Sequence, residues 1–312
     1  MSNIKRFITL AAAAVVLTAC GNNAKAEPAG EAKAQPATAA TPNTPAPMAN
    51  TDDKYVRLTT TEGDILVRLY GDTPRHQANF IKLVNEGFYN NVLFHRVIDQ
   101  FMLQTGDPDS REAKPGQHLG AGGPGYDIEA EIVYPHHYHK RGALAAARQG
   151  DYVNPERRSS GSQFYIVTGK KLEAGEAQMM QRQYGDKLKT NEFQRLANEQ
   201  MDNIRNMQMA GDTAGLNRLQ RELIDKVEAK YSGANEPKLP QEVIDTYVSK
   251  GGTPHLDGTY TVFGEVVEGW DVIDKIEKAQ TDANDRPVND IRIIKAEVVP
   301  APDATATAKS GK

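Results

Sequence analysis

The residue types that most often carry covalent or metal chemistry are sparse in this sequence. Cys20 is the only cysteine, which excludes an internal disulfide, a cysteine-based metal cluster and a cysteine nucleophile elsewhere in the chain. Histidines cluster in the segment His136-His137-Tyr138-His139, but adjacent side chains on a strand point in opposite directions. No carboxylate or cysteine set accompanies them at ligand spacing. We therefore predict no metal site and no cofactor.

A glycine-rich stretch at residues 120–125, Gly-Ala-Gly-Gly-Pro-Gly, is a second candidate site. A phosphate-binding loop would continue into Lys-Ser or Lys-Thr and would join a strand to a helix, and this stretch meets neither condition. We interpret it as a loop between strands. The formal net charge of −4 gives no uniformly basic surface, so nucleic acid is not an expected partner.

The most informative pattern surrounds Arg96. This residue lies in Phe94-His95-Arg96-Val97-Ile98, and the run Phe101-Met102-Leu103-Gln104-Thr105-Gly106-Asp107 follows two residues later. A second block reads Gly161-Ser162-Gln163-Phe164-Tyr165-Ile166, and a third runs from Leu256-Asp257-Gly258 to Val262-Phe263-Gly264-Glu265-Val266. Taken singly, an arginine like this is usually a solvated charge and the apolar residues are core. The three blocks, in this order, strongly resemble the signatures of the cyclophilin family.

The resemblance implies peptidyl-prolyl cis-trans isomerase activity and a mainly β fold, a closed eight-stranded antiparallel barrel capped by two helices. Rotation about an X-Pro bond breaks amide resonance against a barrier of about 20 kcal/mol and cleaves no bond. Catalysis of this rotation requires no nucleophile, metal or general base. It requires a pocket that holds proline and a donor that stabilises the twisted amide, whose nitrogen regains a lone pair.

The same resemblance assigns the site residues. By this resemblance, Arg96 is the donor that stabilises the twisted amide. Arginine suits this role because a guanidinium is permanently charged and presents several rigid N–H groups. The expected partners are proline-containing unfolded or partly folded proteins. Phe101, Met102, Tyr165 and Leu256 would form the proline pocket, Gln104 and Gln163 would bind the substrate backbone, and Ala147 takes the place of a small residue in the substrate site.

Three further substrate-binding positions depart from the family pattern. Arg148 stands where the family has an asparagine that contacts the substrate backbone, so the resemblance does not carry that contact over. Tyr260 takes a position often held by histidine. His255 stands where many members have the tryptophan that contacts cyclosporin, which implies weak cyclosporin binding rather than loss of isomerisation.

Hydrophobic periodicity predicts the strands and helices that must hold these residues. Alternating apolar residues on both sides of a Glu62-Gly63-Asp64 turn predict a β-hairpin, and a helix follows with Thr73 as N-cap, Pro74 at its first position and Gly87 at its end. Short strands are predicted near 93–98, 102–106, 143–147, 164–168, 260–266 and 291–299, and a second helix at 270–278. The inward-facing residues of the hairpin are Val56, Leu58, Ile65, Val67 and Leu69.

Residues 171–252 do not fit a barrel. Their apolar stripes predict a helical hairpin inserted between two strands, broken at Gly211 and Gly215, and a short helix at 241–250. Two roles stay open for this insertion. Its methionine-rich helices could simply pack, or the chain could be a client-binding chaperone or adaptor whose main functional surface is the insertion. The stripes are Phe193, Leu196, Ile204 and Met207, and then Leu216, Leu219, Leu223, Val227 and Tyr231.

The first residues resemble the leader of a bacterial lipoprotein. Lys5 and Arg6 precede an apolar run too short to span a membrane, and Leu17-Thr18-Ala19-Cys20-Gly21 resembles the lipobox. We predict a signal peptide at 1–19, a lipidated Cys20 with a disordered linker to residue 53, a cyclophilin-like domain at 54–300 and a disordered tail at 301–312. The expected location is the bacterial cell envelope, with a lipid anchor that holds the domain on the extracytoplasmic side, in the periplasm or at the outer membrane.

Overall fold

The computed structural model describes residues 52–302. The predicted signal peptide, Cys20 and most of the predicted linker and tail lie outside the described residues. The chain divides into two compact units. The described part of the first, which we call the sheet unit, comprises residues 52–177 and 240–302, and the second, the helical unit, comprises residues 178–239.

Antiparallel strands build the sheet unit. Nine of its strands form one sheet in the order β3-β11-β1-β2-β10-β7-β9-β5-β4, and β6 pairs with β8. The strands are β1 (Lys54–Thr60), β2 (Gly63–Leu69), β3 (Val92–Leu93), β4 (Arg96–Ile98), β5 (Met102–Thr105), β6 (Asp127–Ile128), β7 (Ala143–Ala146), β8 (Ser159–Ser160), β9 (Phe164–Val167), β10 (Val262–Glu268) and β11 (Arg292–Val299).

The first two strands form the predicted hairpin. Thr60 pairs with Gly63 across the turn, and Gly63 has a φ of +135°, a conformation that residues with a β-carbon rarely adopt. The inward-facing residues predicted from the alternation, Val56 and Leu58 on β1 and Ile65, Val67 and Leu69 on β2, are all fully buried. The period-two pattern therefore gave the correct face of both strands.

The sheet is curled but its ladder is not closed, which corrects the predicted closed eight-stranded barrel. The strands at the two edges of the sheet, β3 and β4, are consecutive in the chain and are separated only by Phe94 and His95. The two edges are therefore joined by the covalent chain rather than by strand pairing. At this junction the N–H of Phe94 donates to Ile291 O at 2.9 Å and the N–H of Val97 to Asp285 O at 2.7 Å, so the backbone bonds go to flanking segments instead.

Two helices pack on the main core of the sheet, α1 (Pro74–Asn85) and α6 (Trp270–Glu277). The helices α2 to α5 lie between them in the chain. Thr73 is the N-cap residue of α1, but its hydroxyl donates to Tyr70 O and does not cap the helix. Glu131 takes that role, because its carboxylate accepts the N–H groups of Arg75 at 3.0 Å and His76 at 2.9 Å. The predicted position of the cap is confirmed, whereas its predicted chemistry is wrong.

The remaining helices are α2 (Ala174–Glu199), α3 (Met201–Met209), α4 (Thr213–Lys230) and α5 (Gln241–Ser249). The chain breaks at Gly211, which has a φ of +67°, as predicted. The predicted break at Gly215 is wrong, because this residue lies in the first turn of α4, where its N–H donates to the N-cap Asp212 at 2.7 Å. No helix among residues 52–302 is long and apolar enough to cross a bilayer.

Apolar side chains from α2 and α4 form a separate core in the helical unit. Phe193, Leu223, Ile224 and Val227 are buried, with Leu196, Leu219 and Tyr231 packed against them. Two members of the predicted stripes, Ile204 and Met207 on α3, are only partly buried and lie outside this cluster. The methionines Met179, Met201 and Met209 are exposed.

Candidate active site

A second apolar cluster lies on the face of the sheet opposite the main core. On β5 and β9, Leu103 and Ile166 pair with each other and belong to the main core, so the alternate residues project to the other face. There Met102 and Tyr165 are buried in a cluster with residues of β7 and β10. Four residues of the predicted site are partly buried against that cluster: Phe101, Ala147, Leu256 and Tyr260. Six predicted residues therefore meet on one surface: five from the three sequence blocks, and Ala147, which follows β7.

Strand register places Arg96 beside this surface. Arg96 pairs with Gln104, Gln104 pairs with Tyr165, and Tyr165 pairs with Ala145. Directly paired residues of antiparallel strands share a face, so the guanidinium, the amide and the aromatic ring stand in one row across β4, β5 and β9. Two strand spacings separate Arg96 from Tyr165, about 10 Å between backbones. The side chain of Arg96 is 43% exposed, which leaves it accessible to a ligand.

The two glutamines of the predicted site are joined. Gln104 Nε2 donates to Gln163 Oε1 at 3.0 Å, and Gln163 Nε2 donates to Gly122 O at 2.7 Å. Gln163 is only 5% exposed, so this chain of bonds fixes its amide. Gln104 is held by its neighbour while it remains partly exposed. The pair can therefore present Gln104 to a bound backbone with little loss of side-chain entropy.

A groove of about 840 Å³ opens beside Gln104, Ala147 and Gln163. Its other walls are the loop 120–127 and residues of the segment 148–160. The glycine-rich stretch that we interpreted as a loop thus forms one wall. Sequence reasoning did not identify this groove, because two loops with no motif of their own meet there only through the fold.

Arg148 is held by internal bonds. Its Nε donates to Thr259 O at 2.9 Å, and its Nη1 contacts Gln149 O at 2.8 Å and Asp151 Oδ1 at 2.6 Å. The guanidinium also lies 4.3 Å above the ring of Tyr260. Arg148 borders the groove, but its donors support Tyr260 and the surrounding loops rather than pointing freely at a ligand. The hydrogen bond from Arg148 lowers the pKa of Asp151.

His255 lies at the rim of the apolar cluster. It is exposed, and its ring stacks on that of Phe101 with centroids 5.6 Å apart and an interplanar angle of 25°. Burial against these neighbours lowers the pKa of His255. The imidazole covers one face of Phe101, although it offers less apolar area than the tryptophan that the family resemblance implies at this position.

A buried polar network beneath Tyr165 was not predicted. His139 is 1% exposed; its Nδ1 lies 2.9 Å from Asp257 Oδ1, and its Nε2 lies 3.0 Å from the hydroxyl of Tyr165. The carboxylate can only accept, so Nδ1–H of His139 donates to Asp257. Tyr247 of α5 donates to the other carboxylate oxygen at 2.7 Å. This network ties the pocket aromatic to α5 and to the residue that follows Leu256.

The histidine cluster of the sequence is divided between separate carboxylates. His139 pairs with Asp257, whereas His137 Nε2 lies 2.6 Å from Asp72 Oδ1 and its ring stacks 4.0 Å from that of Tyr70. Among the described residues, no group of histidine, cysteine, aspartate and glutamate side chains could hold a metal ion. Burial lowers the pKa of His137 and raises that of Tyr165 well above its usual value.

His95, next to Arg96, gives the site a pH-dependent stability. It is 4% exposed, and burial lowers its pKa from 6.5 to about 4. The unfolded chain therefore binds this proton first, and stability falls as pH decreases from 6.5 towards 4. We expect His95 to contribute a loss of about 2 kcal/mol in the free energy of unfolding between pH 7.5 and pH 5.

Urea denaturation of the wild type and His95→Gln at several pH values measures this effect. Glutamine stays neutral at every pH. The free energy of unfolding should therefore fall less between pH 7.5 and pH 5 in the variant than in the wild type, by about 2 kcal/mol. If the free energy of unfolding depended on pH equally in the two proteins over this range, His95 would not be the responsible group.

Comparison with known proteins agrees with this geometry. The family model described as cyclophilin-type peptidyl-prolyl cis-trans isomerase/CLD matches residues 55–298. A Staphylococcus saprophyticus protein whose assigned name is that of a peptidyl-prolyl cis-trans isomerase is 28% identical over 244 residues, 77% of this chain and 89% of the relative. A Streptococcus pyogenes protein named for a bifunctional phosphatase/peptidyl-prolyl cis-trans isomerase is 29% identical over 250 residues, 78% of this chain but only 38% of the relative's length.

A solved cyclophilin-type peptidyl-prolyl cis-trans isomerase of Cryptosporidium parvum is 20% identical, with a TM-score of 0.46, and the match covers 80% of this chain and 99% of that one. The family model accounts for most of the chain, and its matched range overlaps every strand and contains every pocket residue described above. The chain therefore belongs to the cyclophilin-type peptidyl-prolyl cis-trans isomerase family.

Proposed function

We propose that this isomerase accelerates rotation about X-Pro bonds in unfolded or partly folded proteins outside the cytoplasm, with Arg96 as the catalytic residue. The observation that carries the proposal is the row Arg96, Gln104 and Tyr165 across three strands, bordered by an apolar cluster. This arrangement places the permanent positive charge of Arg96, the amide of Gln104 and an apolar surface close together. These are the components that stabilisation of a twisted prolyl amide requires.

In this mechanism the apolar cluster binds the pyrrolidine ring. Phe101, Met102 and Leu256 remove apolar surface of the ring from water, and Tyr165 lies beneath it. Gln104 binds the substrate backbone and holds the peptide in register. The guanidinium of Arg96 then donates towards the imide nitrogen as that nitrogen becomes pyramidal, while it also holds the neighbouring carbonyl. No covalent bond forms or breaks.

The magnitudes require both parts of the site. A well-placed donor to a developing charge contributes about 10²–10³-fold, which is roughly 3–4 kcal/mol. An acceleration of about 10⁵-fold corresponds to about 7 kcal/mol. The apolar pocket must supply the remainder, because transfer of the amide from water into an apolar site reduces the solvation that favours its planar, polar form.

Anchoring in the cell envelope is the second part of the proposal. Its support is the sequence around Cys20, where a charged start, an apolar run and a lipobox-like ending precede the only cysteine. Metabolic labelling with palmitate, followed by separation of membrane and soluble fractions, tests it. We expect label on the wild type and none on Cys20→Ser, and an unlabelled wild type would overturn the anchor.

A protease-coupled or fluorescent proline tetrapeptide assay tests the activity. We expect a soluble fragment that begins at Asn50 to accelerate isomerisation in proportion to its concentration. We also expect cyclosporin to inhibit it only weakly, because His255 replaces a large aromatic contact. A folded fragment without measurable acceleration at micromolar concentration would contradict the proposed function, and tight cyclosporin inhibition would contradict the assignment of His255.

A further inference from the structure

Asp285 lies in a tight turn between α6 and β11. The turn is closed by a bridge between Thr281 and Pro287 and by the N–H of Asp282, which donates to Arg286 O at 2.8 Å. The carboxylate of Asp282 accepts the N–H of Arg286 at 3.1 Å, and the N–H of Asp285 donates to Asp282 O at 3.1 Å. The conformation of Asp285 is therefore fixed by its neighbours.

Arg286 attaches this turn to the rest of the sheet unit. Its guanidinium donates to Lys114 O at 2.8 Å and to Ala113 O at 3.1 Å, and it pairs with Asp290 at 2.7 Å. The residue is only 6% exposed. A turn anchored by a buried arginine is a rigid support for whatever its tip holds.

Asp285 holds β4 through two different groups. Its carbonyl accepts the N–H of Val97 at 2.7 Å, and its Oδ2 accepts the Nε–H of Arg96 at 3.3 Å. The first bond fixes the backbone beside Arg96, and the second fixes the plane of the guanidinium. Because the carboxylate uses Nε, the donors on the two terminal nitrogens remain available to a substrate.

The backbone of Asp285 has a conformation that is uncommon for a residue with a side chain. Its φ is +62°, in the left-handed region that glycine adopts without strain and other residues adopt less often. Both partners of its ion pair are 43% exposed, so the pair adds little to stability. Backbone bonds and Arg286 already fix the turn, so the carboxylate of Asp285 is not needed to hold it. Its contact with the proposed catalytic cation therefore indicates a role at the site.

We propose that Asp285 is a positioning residue that aims the Arg96 guanidinium at the substrate. The inference rests on the proposed function of Arg96 and extends it to a residue 189 positions further along the chain. A free arginine side chain samples many rotamers, and only a fraction of them point across the row towards Tyr165. The carboxylate removes that freedom before substrate binds, so the substrate need not supply the ordering free energy.

Asp285→Gly in the full chain is the informative variant, because glycine accepts the positive φ while it removes the carboxylate. We expect kcat/KM to fall about tenfold with a larger effect on kcat than on KM, and the melting temperature to stay equal or rise. Asp285→Asn keeps an acceptor and should retain most of the activity. Asn91→Gly is the matched control, since Asn91 has a φ of +63° and is exposed, and its activity should be unchanged.

Two further measurements distinguish positioning from other causes of lost activity. In an Arg96→Ala background, assayed at raised enzyme concentration, Asp285→Gly should have no additional effect. The NMR signal of the Arg96 Nε–H group should shift and broaden in Asp285→Gly but not in Asn91→Gly, a readout that requires no catalysis. Any of three results would overturn the inference. They are full activity in Asp285→Gly, a loss of kcat/KM from Asp285→Gly that is as large in the Arg96→Ala background as in the wild type, and an Nε–H signal that does not change in Asp285→Gly. Equal activity of wild type and Arg96→Ala would instead overturn the proposed function.

Discussion

Replacement of Arg96 by alanine is expected to lower kcat/KM on a proline tetrapeptide by about 10²–10³-fold, the cost of removing one preorganised donor to a transition-state charge. The loss should lie mainly in kcat, because the apolar cluster that binds the proline ring is unchanged. Stability should change by less than about 0.5 kcal/mol, since the side chain is 43% exposed and its ion pair is with an equally exposed partner. A stopped-flow isomerisation assay together with thermal unfolding measures both quantities.

Arg96→Lys is the matched control for this prediction. Lysine keeps the positive charge but has no planar fork of donors, so we expect an activity between those of the wild type and Arg96→Ala. If lysine restored the full rate, charge alone would suffice and the directional role of the guanidinium would be wrong. Near-normal activity in Arg96→Ala would leave catalysis to the pocket alone.

Asp257→Ala is expected to have the largest effect on stability, a loss of about 3–5 kcal/mol in the free energy of unfolding of the sheet unit. The carboxylate accepts the backbone N–H and the Nδ1–H of His139 as well as the hydroxyl of Tyr247. All three donors are buried, and alanine would leave each of them without this acceptor. The network also supports Tyr165 and the backbone next to Leu256, so KM for the peptide should rise in the molecules that remain folded.

The single tryptophan of the chain, Trp270, begins α6 in the sheet unit, so its fluorescence reports on this unit during urea denaturation. Tyr247→Phe is the control, because it removes one hydroxyl from the network and should cost only about 1 kcal/mol. An Asp257→Ala protein with wild-type stability would mean that water or neighbouring groups satisfy these donors. The network would then have no structural role.

Local patterns in the sequence predicted the strands, because alternation depends on neighbours in the chain, whereas the apolar pocket was assigned by the family resemblance. Alternation at Val56, Leu58 and the residues of β2 identified the buried face of the hairpin, since side chains of a strand point to opposite faces with a period of two. The three blocks named Arg96, Phe101 and Tyr165 as members of one site, and the structure brings them onto one surface. Their roles in catalysis stay a prediction until the variants are measured.

The sequence did not predict contacts between residues that are distant in the chain. Glu131 replaces Thr73 as the cap of α1 from 55 residues away, and His139 meets Asp257 across 118 residues. The family resemblance placed Arg148 in the substrate-binding set without carrying over a backbone contact, and only the fold shows that its guanidinium is engaged with Asp151 and Tyr260. No local pattern encodes such pairs, because each depends on the register of strands and on loops that approach only after the sheet has formed.

The sequence by itself determined that this chain forms short antiparallel strands, that one arginine stands among apolar and amide residues, and that a helical segment interrupts the strand pattern. Only the tertiary structure decided that the sheet curls without closing its ladder, that Arg96 shares a row with Gln104 and Tyr165, and that Asp285 holds its Nε. The physical reason is the range of the forces involved. Periodicity and turn chemistry act between residues close in the chain, whereas hydrogen bonds and ion pairs act over a few ångströms in space and are fixed only when the fold has brought distant segments together.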